Sequence, residues 1–215
     1  MSTHDYRFLH AAPVIPVLVI HDVATAVPMA RALVEGGLPV LEVTLRTPCA
    51  LEAIAAIARE VPAAIVGAGT VCNADQLTMS QTHGAQFIVS PGSSQALFQA
   101  AHAAQIPLLP GVCTASEMIQ AMDAGFNILK FFPAEANGGV AALKAFSGPF
   151  PQLQFCPTGG INRSNLADYL SVNSVIAVGG SWVTPPEAVQ AQDWDTITQL
   201  AKQSVTLAQT IMAAA

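Results

Sequence analysis

The stretch PVLEVTLR, residues 39–46, alternates two kinds of side chain. Leu41, Val43 and Leu45 share one parity, while Glu42, Thr44 and Arg46 share the other. Successive residues of an extended chain point to opposite faces, so the stretch predicts a strand with one apolar and one polar face. Strands of a parallel barrel bury both faces. The apolar set then packs against surrounding helices, and the polar set points into an interior that must accommodate it.

The rest of the chain repeats this unit. Strand candidates are VIPVLVI (14–20), PVLEVTL (39–45), AAIVGAG (63–69), AQFIVSP (85–91), IPLLPGV (106–112), NILKFFP (127–133), QLQFCPT (152–158) and SVIAVGG (174–180). An Ala-rich segment with helical spacing follows each. Pro48 suits a first helical turn, and EGG, HGA and DAGF place glycine where helices stop. The last segment puts Ile197, Leu200, Ala201, Leu207, Ala208 and Ile211 on one helical face. Eight alternating strand–helix units predict an α/β fold, a (β/α)8 TIM barrel in a single domain over 1–215, with residues 1–12 as an N-terminal extension and 13–212 as the barrel. An open doubly wound sheet is less well matched, because no GxGxxG follows the first strand.

Composition narrows the setting. The chain is 52% hydrophobic and 10% charged, against roughly 25% charged residues in an average soluble protein. So little charge predicts that part of the surface is covered in a homo-oligomer. Eight Lys and Arg against fourteen Asp and Glu give a net charge of -6, which argues against nucleic acid as a partner. The N-terminus shows no signal-peptide pattern, and the apolar run 11–20 is too short to cross a membrane. Cys49, Cys72, Cys113 and Cys156 form no CxxC pair and are expected to be reduced. A cytoplasmic location and no membrane contact follow as expectations. His4, His10, His21, His83 and His102 have no metal-ligand spacing, so no metal and no cofactor are expected.

Parity also sorts the later strands. In residues 127–133, Leu129 and Phe131 point outward, while Ile128, Lys130 and Phe132 point inward. In residues 152–158, Leu153 and Phe155 point outward, while Gln154, Cys156 and Thr158 point inward. Lys144 and Lys202 fall on helices among solvent-facing positions, which leaves Lys130 as the lysine with an interior address. A carboxylate, a guanidinium, an ammonium and a hydroxyl thus converge. An interior ion-pair network that only joins strands is the structural alternative, but such pairs are often no more stabilising than apolar residues of like volume. Their placement near the C-terminal ends of strands favours chemistry. CPTGGI (156–161) and VGGSW (178–182) add paired glycines after the last two strands, followed by Asn162 and Ser181 as donors. Such loops let backbone N–H groups approach an anion and predict a phosphorylated ligand.

Burial disfavours the charged form of an amine; a neighbouring cation adds to the effect and a carboxylate opposes it. A neutral interior amine at Lys130 attacks a ketone to form a Schiff base. Glu42 is placed to move protons, Arg46 to clamp a carboxylate, and the glycine loops to hold a distal phosphate. A phosphorylated 2-oxo acid cleaved by a lysine fits all four parts.

VLEVTLRT (40–47), IVGAGTV (65–71), LKFFPAEANGG (129–139), FCPTGGI (155–161) and GGSW (179–182) resemble the 2-keto-3-deoxy-6-phosphogluconate (KDPG) and 4-hydroxy-2-oxoglutarate (KHG) aldolase family. The resemblance runs from about Pro13 to Met212. It implies a class I aldolase on a (β/α)8 barrel, a homotrimer, with no metal. By position, Lys130 matches the Schiff-base lysine and Glu42 the general acid/base. Arg46 and Thr70 match residues near the pyruvate carboxylate, and Pro91 and Phe132 match the pyruvyl pocket. Thr158, Gly159, Gly160 and Ser181 match positions that hold the substrate's hydroxyl and phosphate end. The segment GSSQALF after the fourth strand and Cys113 depart from the family beside these motifs.

The implied reaction is reversible cleavage of 2-dehydro-3-deoxy-6-phosphogluconate to pyruvate and D-glyceraldehyde 3-phosphate, with cleavage of 4-hydroxy-2-oxoglutarate to pyruvate and glyoxylate beside it. That places the protein in carbohydrate metabolism, in the Entner-Doudoroff pathway. The alternative within the family is the aldolase of the galactonate epimer, 2-dehydro-3-deoxy-6-phosphogalactonate; Thr158 leans toward the gluconate substrate. A metal-dependent sugar-phosphate epimerase would instead require clustered His and Asp at strand ends. A non-catalytic sugar-phosphate-binding barrel would bind ligand without forming a reducible imine.

Overall fold

The computed structural model describes residues 5–214; His4 and the rest of residues 1–4 lie outside them. A 3-10 turn over Arg7–His10 leads into β1 (Val14–Leu18) and α1 (Val23–Glu35). The strand–helix alternation continues through β2 (Val40–Thr44), α2 (Ala50–Glu60), β3 (Ile65–Gly69), α3 (Ala74–Thr82), β4 (Ile88–Val89) and α4 (Gln95–Ala104). The second half comprises β5 (Leu108–Leu109), β6 (Gly111–Val112), α5 (Ala115–Asp123), β7 (Ile128–Phe131), α6 (Gly139–Ser147) and β8 (Gln154–Phe155). α7 (Leu166–Leu170), β9 (Val178–Gly180), α8 (Pro186–Gln190) and α9 (Trp194–Ala214) complete it.

All pairings between these strands are parallel. One sheet of six runs β5-β4-β3-β2-β1-β9 and one of three runs β6-β7-β8. Each of the eight strand candidates contains strand, in every case shorter than the sequence pattern. The fifth is broken into β5 and β6 at Pro110, which has no N–H to give a ladder. β5 pairs with β4, and β6 pairs with β7, so this broken strand touches both sheets. At the other flank, bridges Phe155↔Val175 and Thr158↔Gly179 join the β8 segment to the β9 segment.

Helix starts are set by residues that follow the strands. Asp22, Asn73, Ser94 and Thr114 each accept a backbone N–H in the first turn of α1, α3, α4 and α5, and Thr114 with Glu117 forms a capping box. Such a cap contributes about 1 kcal/mol and fixes where these four βα loops end. Pro48 precedes α2 rather than entering its first turn; the helix starts at Ala50 after Cys49. On α9, Ile197, Ala201 and Ala208 are wholly buried, while Leu200, Leu207 and Ile211 are half-buried at the edge of the same stripe.

Part of the extension belongs to the core. Tyr6 donates its hydroxyl to the Leu108 carbonyl at 2.8 Å. The Phe8 ring stacks on Phe87 at 4.3 Å between centroids, and Tyr6, Phe8 and Leu9 are buried. Phe87 fits because β3 carries glycine opposite it: a Cβ on Gly67 would lie 2.4 Å from the Phe87 ring.

Candidate active site

Register brings the two central side chains together. Glu42 lies on β2 opposite Val17 of β1 and Gly67 of β3, and Lys130 lies on β7 opposite Gly111 of β6. Their side chains are 88 residues apart in sequence, yet Lys130 Nζ donates to Glu42 Oε1 at 2.9 Å and to Oε2 at 3.2 Å. Both are almost fully buried, Glu42 at 3% exposure and Lys130 at 4%. The Nζ also stands 5.2 Å from the centroid of the Phe132 ring. Leu129 and Phe131, of the opposite parity, are wholly buried in the core. A buried ion pair of this kind holds because each charge is the other's partner.

Around the amine opens a cleft of about 180 Å³, lined by Arg46, Lys130, Phe132, Thr158, Gly159, Gly160 and Ser181, together with Val17, Val19, Ile161 and Gly180. Gly159 and Gly160 have φ of +103° and +80°, backbone that favours glycine. Among the described residues, the N–H groups of Gly160 and Ile161 donate to no protein acceptor. A larger, more open hollow of about 500 Å³ lies along α6 and α7, but the buried amine is not in its wall.

Three expected positions differ in detail. Arg46 is not inside: it lies just past the end of β2 and is exposed at the rim. There its Nε donates to Thr70 Oγ1 at 3.1 Å. Thr70 has φ of +60°, a conformation that costs a β-branched residue about 1–3 kcal/mol. Gln154 does not face a closed interior; it opens β8 and is exposed, and the inward, buried positions of that segment are Cys156 and Thr158. The Asn162 amide bends back on its own loop: its Oδ1 accepts from Ser164 N and Oγ at 2.9 and 2.6 Å.

Glu42, Thr70 and Pro91 are not on the cleft wall. Glu42 meets it through Lys130, and Thr70 through Arg46. Pro91 packs on β6, where a Cβ on Gly111 would lie 2.4 Å from the Pro91 carbonyl carbon. Cys156 sits close enough to feel both charges of the pair. Burial, opposed in part by Lys130, pushes its thiol up to about 12. Lys144 is exposed on α6, and Lys202 is exposed on α9 near Glu35 at 3.8 Å. Val17 and Val19 were missed as cleft residues, although their shared parity in VIPVLVI was a usable signal.

A buried amine paired with a carboxylate beside a rim guanidinium suits carbonyl chemistry. The model of the family "KDPG and KHG aldolase" matches residues 6–200.

The chain belongs to the KDPG and KHG aldolase family.

Relatives agree in length and sequence. The KHG/KDPG aldolase of Escherichia coli K12 is 56% identical over 204 residues, covering 95% of this chain and 96% of that one. The 2-dehydro-3-deoxy-phosphogluconate aldolase of Zymomonas mobilis is 52% identical over 196 residues, covering 91% and 92%. Among solved structures, the KDPG aldolase of Legionella pneumophila has a TM-score of 0.90 at 46% identity, covering 92% of this chain and 96% of that one. That enzyme holds pyruvate captured at low pH as a covalent carbinolamine intermediate. A KDPGal structure is more distant within the same fold, with a TM-score of 0.84 at 26% identity, covering 94% and 96%.

Proposed function

We propose that this member of the KDPG and KHG aldolase family cleaves 2-dehydro-3-deoxy-6-phosphogluconate reversibly to pyruvate and D-glyceraldehyde 3-phosphate, and cleaves 4-hydroxy-2-oxoglutarate to pyruvate and glyoxylate. Lys130 is the nucleophile. The observation that carries this reading is its buried amine, 2.9 Å from Glu42 Oε1 and on the wall of a cleft.

Transfer of a proton from Nζ to Glu42 frees the amine lone pair, which adds to the C2 ketone. Glu42 then returns a proton to the carbinolamine oxygen, water leaves, and an iminium forms. The C3–C4 bond breaks as the C4 hydroxyl gives its proton to the Glu42 carboxylate, left free by the loss of water. Its electron pair flows to the iminium nitrogen, releasing the aldehyde and leaving an enamine. Protonation at C3 and hydrolysis release pyruvate and restore Lys130. Arg46, held by Thr70, binds the carboxylate, and Phe132 shapes the pyruvyl pocket. Thr158 holds a substrate hydroxyl, and Gly159, Gly160 and Ser181 hold the phosphate. The 56% identity to a KHG/KDPG aldolase, against 26% to a KDPGal structure, favours the gluconate substrate over the galactonate epimer.

The same reading extends to architecture. The broken β5–β6 strand and the bridges at Phe155 and Thr158 support a single closed (β/α)8 barrel over 13–212, with 1–12 as its extension. The assembly is a homotrimer, and the protein acts in the cytoplasm. Sparse surface charge supports an oligomer, and no helix among the described residues is long and apolar enough to cross a membrane.

Borohydride reduction in the presence of pyruvate tests the mechanism. A reduced pyruvyl adduct on Lys130, absent from Lys130→Ala, is expected. An adduct on Lys144, or full activity in Lys130→Ala, would overturn it.

A further inference from the structure

The loop that carries Gly159 and Gly160 is held from outside the cleft by a second element. Ala134 N donates to Thr158 O at 2.8 Å, and Glu135 N donates to Gly159 O at 3.1 Å. The Glu135 side chain lies across the back of the loop: a Cβ on Gly160 would stand 2.5 Å from Glu135 Cγ. Its carboxylate in turn accepts a short hydrogen bond from the Tyr169 hydroxyl. Tyr169 belongs to α7 and is wholly buried; burial, with Glu135 beside it, pushes its phenol up. The hollow along α6 and α7 shows the outer side of this contact, with Glu135, Gly139 and Tyr169 in its wall. Gly139, at φ +54°, leaves the room: a Cβ there would meet Glu135 Oε1 at 3.1 Å and the Tyr169 hydroxyl at 3.2 Å.

These contacts do not touch the amine, and Glu135 is exposed and lines the outer hollow, not the cleft that holds the amine. Fixing the carboxylate fixes the side chain nearest to the back of Gly160, a residue whose own lack of a Cβ gives its backbone wide freedom. We infer that Tyr169 and Glu135 form a clasp that positions the Gly159–Gly160 loop, and so set how tightly this enzyme holds the phosphorylated end of its substrate, independent of the Schiff-base step. The inference rests on the proposed phosphate site. Tyr169 and Glu135 are positioning residues: they act through the loop.

The test compares kcat and KM for 2-dehydro-3-deoxy-6-phosphogluconate and for its dephosphorylated counterpart. Tyr169→Phe and Glu135→Ala should each raise KM for the phosphorylated substrate about tenfold, the scale of one hydrogen bond to a charged group. kcat, and KM for the dephosphorylated substrate, should stay at wild-type values. Glu135→Gln, whose amide oxygen still accepts from Tyr169, should restore KM. The double variant Tyr169→Phe/Glu135→Ala should be no worse than either single one. Equal losses on both substrates would reduce the clasp to a stability role and overturn the inference. So would unchanged discrimination in both single variants. A wild-type enzyme indifferent to the phosphate would instead overturn the phosphate site itself. Glu135→Ala alters an exposed side chain, so the comparison survives if Tyr169→Phe folds poorly.

Discussion

Gly69 on β3 leaves the space that the Glu42 carboxylate occupies: a Cβ on Gly69 would lie 2.2 Å from Glu42 Oε1. The same oxygen accepts from Lys130 Nζ at 2.9 Å. A methyl group at Gly69 must therefore displace the carboxylate from the amine. Misplacement of a reacting group by about 1 Å costs on the order of 100-fold in rate. Gly69→Ala should lower kcat by about that factor while leaving the fold intact, as read by steady-state kinetics alongside circular dichroism. Near-wild-type kcat would show that Glu42 does not need this position.

The ion pair separates function from stability. Lys130→Ala leaves Glu42 buried without a partner, which should destabilise the protein by about 3–5 kcal/mol. The double variant Lys130→Met/Glu42→Leu removes both charges and keeps volume. It should be as stable as wild type in chemical denaturation, and inactive. A double variant less stable than Lys130→Ala would mean that the pair is retained for folding.

Arg46 is exposed at the rim, and its Nε bonds to Thr70. Removing a charged hydrogen-bond donor from a substrate carboxylate costs about 1.5–3 kcal/mol, or roughly 10- to 150-fold in kcat/KM. Arg46→Ala should show that loss for both the phosphorylated substrate and 4-hydroxy-2-oxoglutarate. Arg46→Lys should recover little, because a single ammonium cannot reproduce the planar fork. Rescue by Lys in steady-state assays would argue for a simple point charge.

Phe8 predicts the opposite pattern. It stacks on Phe87 at 4.3 Å and is 7% exposed, so Phe8→Ala should cost about 3–5 kcal/mol of stability. Activity per folded molecule should be unchanged, because the ring does not line the cleft. Thermal unfolding and active-site titration with pyruvate and borohydride distinguish the two quantities.

Much of the site was legible in residues 39–46 and 127–133, because a strand's two-residue period is local. Parity alone put Glu42 and Lys130 on inward faces, and the structure buries both. Parity failed where a residue stands beyond a strand's useful length. Arg46 has inward parity but emerges past the end of β2, and Gln154 has it but precedes the buried part of its segment. Alternation says which way a side chain points and nothing about depth along the strand. Depth comes from register with neighbouring strands.

The sequence by itself determined the alternation of strands and helices, the inward address of Lys130, and the glycine loop at 159–160. Each of these depends on residue type and on spacings of a few positions. The second glycine pair, Gly179 and Gly180, which the pattern puts after the last strand, lies within β9, paired with Ile15 and Pro16 of β1. Only the tertiary structure decided that Lys130 and Glu42 meet at 2.9 Å across 88 residues. It also decided that Gly69 makes room for that meeting and that Phe8 belongs to the core. Those are relations between strands and segments distant in the chain. They arise from parallel register and close packing, in which one residue's missing Cβ is another's binding space.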